Sequence, residues 1–185
     1  MGEDTAGSTI NSYYASADFS YTFFKKLTTL IGGEYMSGND ATDTLNKEVN
    51  SFSTLYGSGH TFNGSMDFFT DMPKHLKKAG LIDLYLFLTY RLNDKASIRL
   101  DYHYFMLQNN YIYKNEVIDK SLCSEIDLSG KINFTKEVSL TLGYSVAFGQ
   151  KSMGIISGGN YATIANWGWI SLSVTPNFFR SGEIK

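Results

Sequence analysis

The chain has 185 residues and a formal net charge of −2 at pH 7. Aromatic residues make up 15% of it and charged residues only 18%, which excludes disorder, because disordered chains have few aromatics and much charge. One cysteine excludes a disulfide scaffold, and the near-neutral charge without a basic block argues against a nucleic-acid partner.

Alternation of apolar and polar residues is the main signal along the chain, and it predicts seven strands. The clearest strand places Leu84, Leu86 and Leu88 on one face, opposite Asp83 and Thr89. Most of the strands have the roughly 9 to 11 residues that a tilted strand needs to cross a bilayer, rather than the roughly 5 to 6 usual in soluble sheets. In chain order they cover residues 13–23, 27–36, 82–92, 98–106, 125–134, 138–148 and 167–175.

The connections between these strands alternate strictly in length. Three are short (residues 24–26, 93–95 and 135–137) and three are long (residues 37–79, 108–122 and 150–166). Tight turns on one side and long loops on the other are typical of outer-membrane barrels, in which the turns are periplasmic. The pattern therefore predicts an all-β fold, an antiparallel transmembrane β-barrel in the bacterial outer membrane, with residues 1–185 as one barrel domain or barrel fragment.

The alternative is a soluble β-sandwich or a lipocalin-like binding module, which also shows alternation, with the apolar face as its core. The strand lengths, the small Ser, Thr and Gly residues of the polar faces and the asymmetric connections favour the membrane barrel. Bacterial single-chain barrels have an even number of strands, beginning at about 8. Seven strands therefore predict the C-terminal part of a larger barrel, with other barrel strands or a partner chain beside each edge.

Several segments resemble the alginate-export family of outer-membrane barrels, in the form found in Bacteroidetes-type bacteria. The most specific is the Tyr-Gly-x-x-His-x-Phe element within residues 52–69, and residues 34–40, 100–105, 125–128, 167–170 and 175–179 are similar to other parts of that family. The resemblance implies the C-terminal portion of a monomeric barrel of about 18 strands, within the known range of such barrels. It also implies passage of a hydrophilic solute or polysaccharide through the lumen.

If the apolar faces meet lipid, the polar faces line the lumen. Asp83 or Asp101 is expected to form a cross-strand ion pair with Arg91 or Arg99. In one alternative, the charges of such pairs only compensate each other. In the other, the cations hold anionic solutes, as charged rings do in channels. The planar guanidinium of arginine can form two parallel hydrogen bonds to a carboxylate. The predicted lining residues are Asp18, Glu34, Asp83, Arg91, Arg99, Asp101, His103 and Lys131, with Glu125 and Asp127 on the same face.

The loop of residues 37–79 is too long for a passive connection. Residues 65–78 are partly helix-like, and the loop is locally basic through His60, Lys74, His75 and Lys77. Folded into the lumen, it would constrict the pore and present cations to an acidic substrate. The alternative is an external lid with these charges on its wet face.

Catalytic, cofactor and metal chemistry have little support in the sequence. The three histidines lack metal-ligand spacing, and Cys123 has no nearby histidine. The side-chain oxygens of Asn39, Asp40 and Asp43 could bind a calcium ion, but such a spacing of residues is common by chance. The sequence therefore predicts no catalytic residue, no cofactor and no metal. The predicted function is passive passage of a hydrophilic, anionic solute or polysaccharide, and the alternative is a barrel that binds or supports without transporting.

Overall fold

The computed structural model describes residues 2–54 and 63–176. Its dominant feature is an antiparallel sheet of seven strands, in which every strand pairs with its neighbours in the chain. The prediction of seven sequential antiparallel strands and an all-β fold is confirmed. The strands are β1 (Tyr14–Phe23), β2 (Leu27–Met36), β3 (Leu81–Arg91), β4 (Ala96–Leu107), β5 (Ser121–Asn133), β6 (Val138–Gly149) and β7 (Ala165–Val174).

The sheet is open. Within the described residues, β1 pairs only with β2 and β7 pairs only with β6, so both edge strands leave one row of backbone groups outside the sheet. Because the strands alternate in direction, β1 and β7 run the same way, from the side of the long connections to the side of the short turns. No closed barrel is formed by this part of the chain.

A short helix, α1 (Met72–His75), lies in the first long connection, within residues 65–78, which the sequence predicts to be partly helical. Three features differ from the sequence prediction. β5 begins at Ser121 instead of Glu125, and a second short helix, α2 (Lys151–Ser157), interrupts the last long connection. Two-residue hairpin strands pair Gly2–Glu3 with Thr9–Ile10 and Ile112–Tyr113 with Glu116–Val117. No helix in the described residues is long and apolar enough to cross a bilayer.

One face of the sheet is apolar and exposed. Leu84 is 47% exposed, Leu128 is 51% exposed and Ile170 is 70% exposed. A soluble sandwich or lipocalin-like fold would bury these side chains, because the apolar face would be its core. A contiguous apolar face of this extent is rare on soluble proteins and marks a surface that meets a partner or a membrane.

The buried apolar core lies at the long-connection end of the sheet. There the connection of residues 37–80 folds back, so that Phe69, Met72 and Leu76 pack with Leu81 and Phe105 from the strands. The ring of Phe69 meets that of Phe105 edge to face, with 4.9 Å between centroids. Because Phe105 shares the polar face of the sheet with His103, the connection covers part of that face.

Candidate functional site

The polar face of the sheet, called the inner face below, gathers most of the charged residues that the sequence predicts to line a lumen. Five of the eight predicted residues line one cavity of about 200 Å³, which Asn63, Gly64 and Ser65 of the long connection cover, with Tyr85 and Phe87 beside them. These five are Glu34, Asp83, Arg99, Asp101 and His103. Alternation places them on one face, and the strand register brings them together.

Asp83 pairs with a histidine instead of an arginine. Nδ1 of His103 lies 3.0 Å and 2.9 Å from the two carboxylate oxygens of Asp83, and both residues are buried. The imidazole stacks on Phe105 at 5.4 Å and contacts Tyr85 and Phe87. Within the described residues, Asp83 is the one hydrogen-bond partner of His103, so the pair is held in a single geometry by the surrounding rings.

Asp101 pairs with Arg99, but the two residues lie two positions apart on β4, whereas the sequence predicts a pair across strands. Nε of Arg99 lies 2.7 Å from both carboxylate oxygens of Asp101. The guanidinium also lies over the ring of Phe87, 4.5 Å from its centroid. The positive charge of Arg99 is therefore compensated by its neighbour, although its side chain is half exposed.

Asp18 joins this network through a contact that spans β2. The Tyr85 hydroxyl on β3 donates a hydrogen bond to the Asp18 carboxylate on β1, across Gly32, which lies between them in the register. A side chain at position 32 would collide with both groups. Glycine at this position therefore allows a residue of β3 to reach β1 directly.

Glu125 anchors the long connection to the inner face, a role that the sequence does not reveal. Its Oε1 accepts hydrogen bonds from the backbone N–H groups of Ser65 at 2.6 Å and Met66 at 3.0 Å, and the residue is fully buried. Asp127 follows on the same face, directly opposite Asp101. Neither carboxylate oxygen of Asp127 meets a hydrogen-bond donor in the part of the chain described.

The predicted basic residues of the long connection lie in different environments. His60 lies outside the described residues. Lys74 and Lys77 are exposed and His75 is half-buried, while the neighbouring Met72 and Leu76 are buried in the core. The connection thus covers the inner face, as the constriction hypothesis expects, but its lysines lie at the solvent, as the lid hypothesis expects.

Charge is segregated along the inner face. The two cross-strand rows nearest the short turns contain Arg91, Arg99 and Lys131 and no carboxylate; these three residues are called the basic belt. The next three rows contain no Lys or Arg. Their carboxylates, called the acidic belt, are Asp18, Glu34, Asp83, Asp101, Glu125 and Asp127.

Two members of the basic belt carry uncompensated charge. Arg91 and Lys131 both lie opposite Ser97, on its two sides. Two strand spacings separate them, about 10 Å between backbones. Both are exposed, and neither side chain has a hydrogen-bond or ion-pair partner among residues 2–54 and 63–176.

The oxygen donors at the start of the long connection already have partners. Asp40 accepts hydrogen bonds from the backbone and hydroxyl of Thr42 and from Asn110, and the Thr42 hydroxyl bond is the largest influence that lowers the pKa of Asp40. No three His, Cys, Asp or Glu side chains of the described residues are grouped to hold a metal ion.

Comparisons with protein-family models, with curated proteins and with solved structures find no match to this chain. The resemblance to the alginate-export family therefore stays a prediction from the sequence.

Proposed function

We propose that this chain is part of the wall of a bacterial outer-membrane channel through which hydrophilic, anionic solutes pass without chemical change. The observation that carries the proposal is the arrangement of the two faces, since the apolar face is exposed and the long connection covers part of the charged face. An exposed apolar face opposite a partly covered charged face is unfavourable in water. It is the arrangement that a strand wall between lipid and an aqueous lumen requires.

Strand length supports the same proposal. The seven strands contain between 10 and 13 residues. At a rise of about 3.3 Å per residue they measure at least about 33 Å, enough to cross an apolar band about 25 Å tall at the usual tilt. The exposed apolar face has no other evident use.

The open edges require further strands. In lipid, the unpaired N–H and C=O groups of β1 and β7 would find no water, at a cost of several kcal/mol each. Barrel strands outside residues 14–174, or a partner chain, would satisfy them. A larger barrel of the alginate-export type, with about 18 strands, meets this requirement and agrees with the resemblance.

The sign of the solute charge is inferred from the basic belt. Arg91 and Lys131 are uncompensated and lie near the short turns, so a solute that enters from that side meets positive charge first. Fixed charges on a pore wall raise the local concentration of ions of opposite sign. The outer-membrane lipid and an anionic solute or polysaccharide are therefore the proposed partners.

A second candidate function is a barrel that binds or supports without transporting. It is favoured by the anchor of Ser65 and Met66 on Glu125, which holds the long connection against the inner face. If the connection closes the lumen completely, the wall has a structural or binding role only.

Conductance separates the two candidates. The native protein, extracted in detergent from the outer-membrane fraction, is inserted into planar bilayers in salt. We expect stable conductance steps with a preference for anions. Recovery of the protein in the soluble fraction would contradict the membrane location. Absence of conductance, also after deletion of residues 40–78, would reject transport and favour the second candidate.

A further inference from the structure

The inner face carries two tryptophans, which are also the only tryptophans of the chain. Trp167 lies opposite Ser145 and Trp169 lies opposite Gly143, so both share the inner face with small residues of β6. Their rings are 6.3 Å apart and inclined by 33°. Elsewhere on β6 and β7 this face holds small residues, among them Thr141, Ser145 and Ser171.

Gly143 determines how Trp169 lies. A side chain at position 143 would occupy the space of the indole, which rests directly over the glycine backbone on β6. The indole ring therefore lies against the backbone of the sheet and does not project away from it. This arrangement gives the wall a flat apolar surface beside the open edge of β7.

A cavity of about 310 Å³ lies over this surface, and it is lined by Ser65, Trp167, Trp169 and Ser171. Its volume is at the lower end of the range of about 300 to 1,000 Å³ for small-molecule sites. Two indole rings and two serines, one of them in the long connection, combine flat apolar contact with hydrogen-bonding groups.

We propose that Trp167 and Trp169 form a stacking platform for the pyranose ring of a carbohydrate, a proposal that rests on the inner face being a lumen wall. A pyranose presents C–H groups on its flat side and hydroxyls at its rim. The electron-rich face of an indole attracts the polarised C–H groups, and large rigid aromatics bind with little loss of conformational entropy. Serine hydroxyls beside the rings can bond to the hydroxyls of the sugar.

Charges of both signs surround the platform. Trp169 lies in the same cross-strand row as Arg99, and Ser171 lies in the row of Arg91 and Lys131. Trp167 lies in the row of Asp127 and Asp101. Wall charge therefore does not select an acidic sugar over a neutral one, and the platform is specified by its two indole rings.

Tryptophan fluorescence of the chain in detergent tests the platform, since both fluorophores belong to it. Maltohexaose serves as a neutral probe and hexagalacturonate as an acidic probe. We expect a saturable change in emission with both. Trp169→Leu and Gly143→Val should weaken binding at least about fivefold, the scale of one aromatic contact.

Two further variants control for folding. Trp169→Phe keeps a ring on the wall and should bind within about threefold of the native chain, and Ile170→Leu changes only the opposite face of β7. Saturable binding that Trp169→Leu leaves unchanged, or no response to either sugar in the native chain, would overturn the platform. Conductance without sugar binding would reject the platform alone, whereas sugar binding without conductance would reject the channel alone.

Discussion

The backbone N–H of Ser65 donates a 2.6 Å hydrogen bond to the carboxylate of Glu125, which lies 60 residues further along the chain. With the bond from Met66, it fixes the long connection to the inner face of β5. Because Glu125 is fully buried, water cannot replace these donors. These two hydrogen bonds therefore hold the long connection against the inner face of the sheet.

Removal of these two hydrogen bonds is expected to expose the residues beneath the long connection. Glu125→Ala leaves two backbone donors without an acceptor, at a cost of about 1 to 3 kcal/mol each. Cys123, the only cysteine of the chain, is buried in the core under the connection. Its reaction with a maleimide should accelerate at least about tenfold in Glu125→Ala and less in Glu125→Gln.

Ser129→Ala is the matched control for this measurement, because Ser129 lies on the same strand face and has no side-chain hydrogen bond to the described part of the connection. Its labelling rate should stay near that of the native chain. Equal acceleration in the control, or an unchanged rate in Glu125→Ala, would show that other contacts hold the connection in place.

The two faces of β5 should respond oppositely to a lysine. Leu128 is on the apolar face and 51% exposed, whereas Ser129, the next residue, is on the inner face. A lysine in the middle of a lipid-facing surface costs about 2 to 4 kcal/mol, so Leu128→Lys should reduce the folded protein in outer membranes, measured by heat-modifiable migration on gels. Ser129→Lys should fold normally. Equal tolerance of both substitutions would argue against a lipid-facing surface.

The strands and their two faces follow from the sequence because alternation is a local property. Each strand needs only its own residues to be recognised, as the run from Ile82 to Leu88 illustrates. The pattern fails at the start of β5, because Leu122 and Cys123 are consecutive and both are buried under the long connection. It also misses α2, which is only seven residues long and packs its apolar side into the core.

The sequence predicts the part of the candidate site that depends only on which face of the sheet a residue occupies. The alternation places Asp83, Asp101 and His103 together on the inner face, but it does not say which of them pair. The preference of Asp83 for His103 depends on the register between β3 and β4. The bond from Ser65 to Glu125 joins a loop to a distant strand, and neither segment carries a local signal for it.

Gly32 is expected to be required for the link between Tyr85 and Asp18. A valine there would displace both side chains, and overpacking of this kind costs about 1 to 3 kcal/mol. Gly32→Val should therefore lower the free energy of unfolding in urea, measured on the folded protein in detergent. Gly33→Ala, with its added methyl on the apolar face, is the control and should cost less. Identical losses in both variants would contradict a specific role for Gly32.

Removal of the uncompensated cations should change the ion preference of the channel. Arg91→Gln with Lys131→Gln takes two positive charges from the wall, so the reversal potential in a salt gradient should shift toward cation selectivity. Lys77→Gln removes a charge from the exposed surface of the long connection and serves as the control, with little expected shift. Arg99→Gln leaves the Asp101 carboxylate without its partner, and a further shift in the same direction is expected. A shift in Lys77→Gln as large as that of the double variant would show that the surface potential, and not the basic belt, sets the preference.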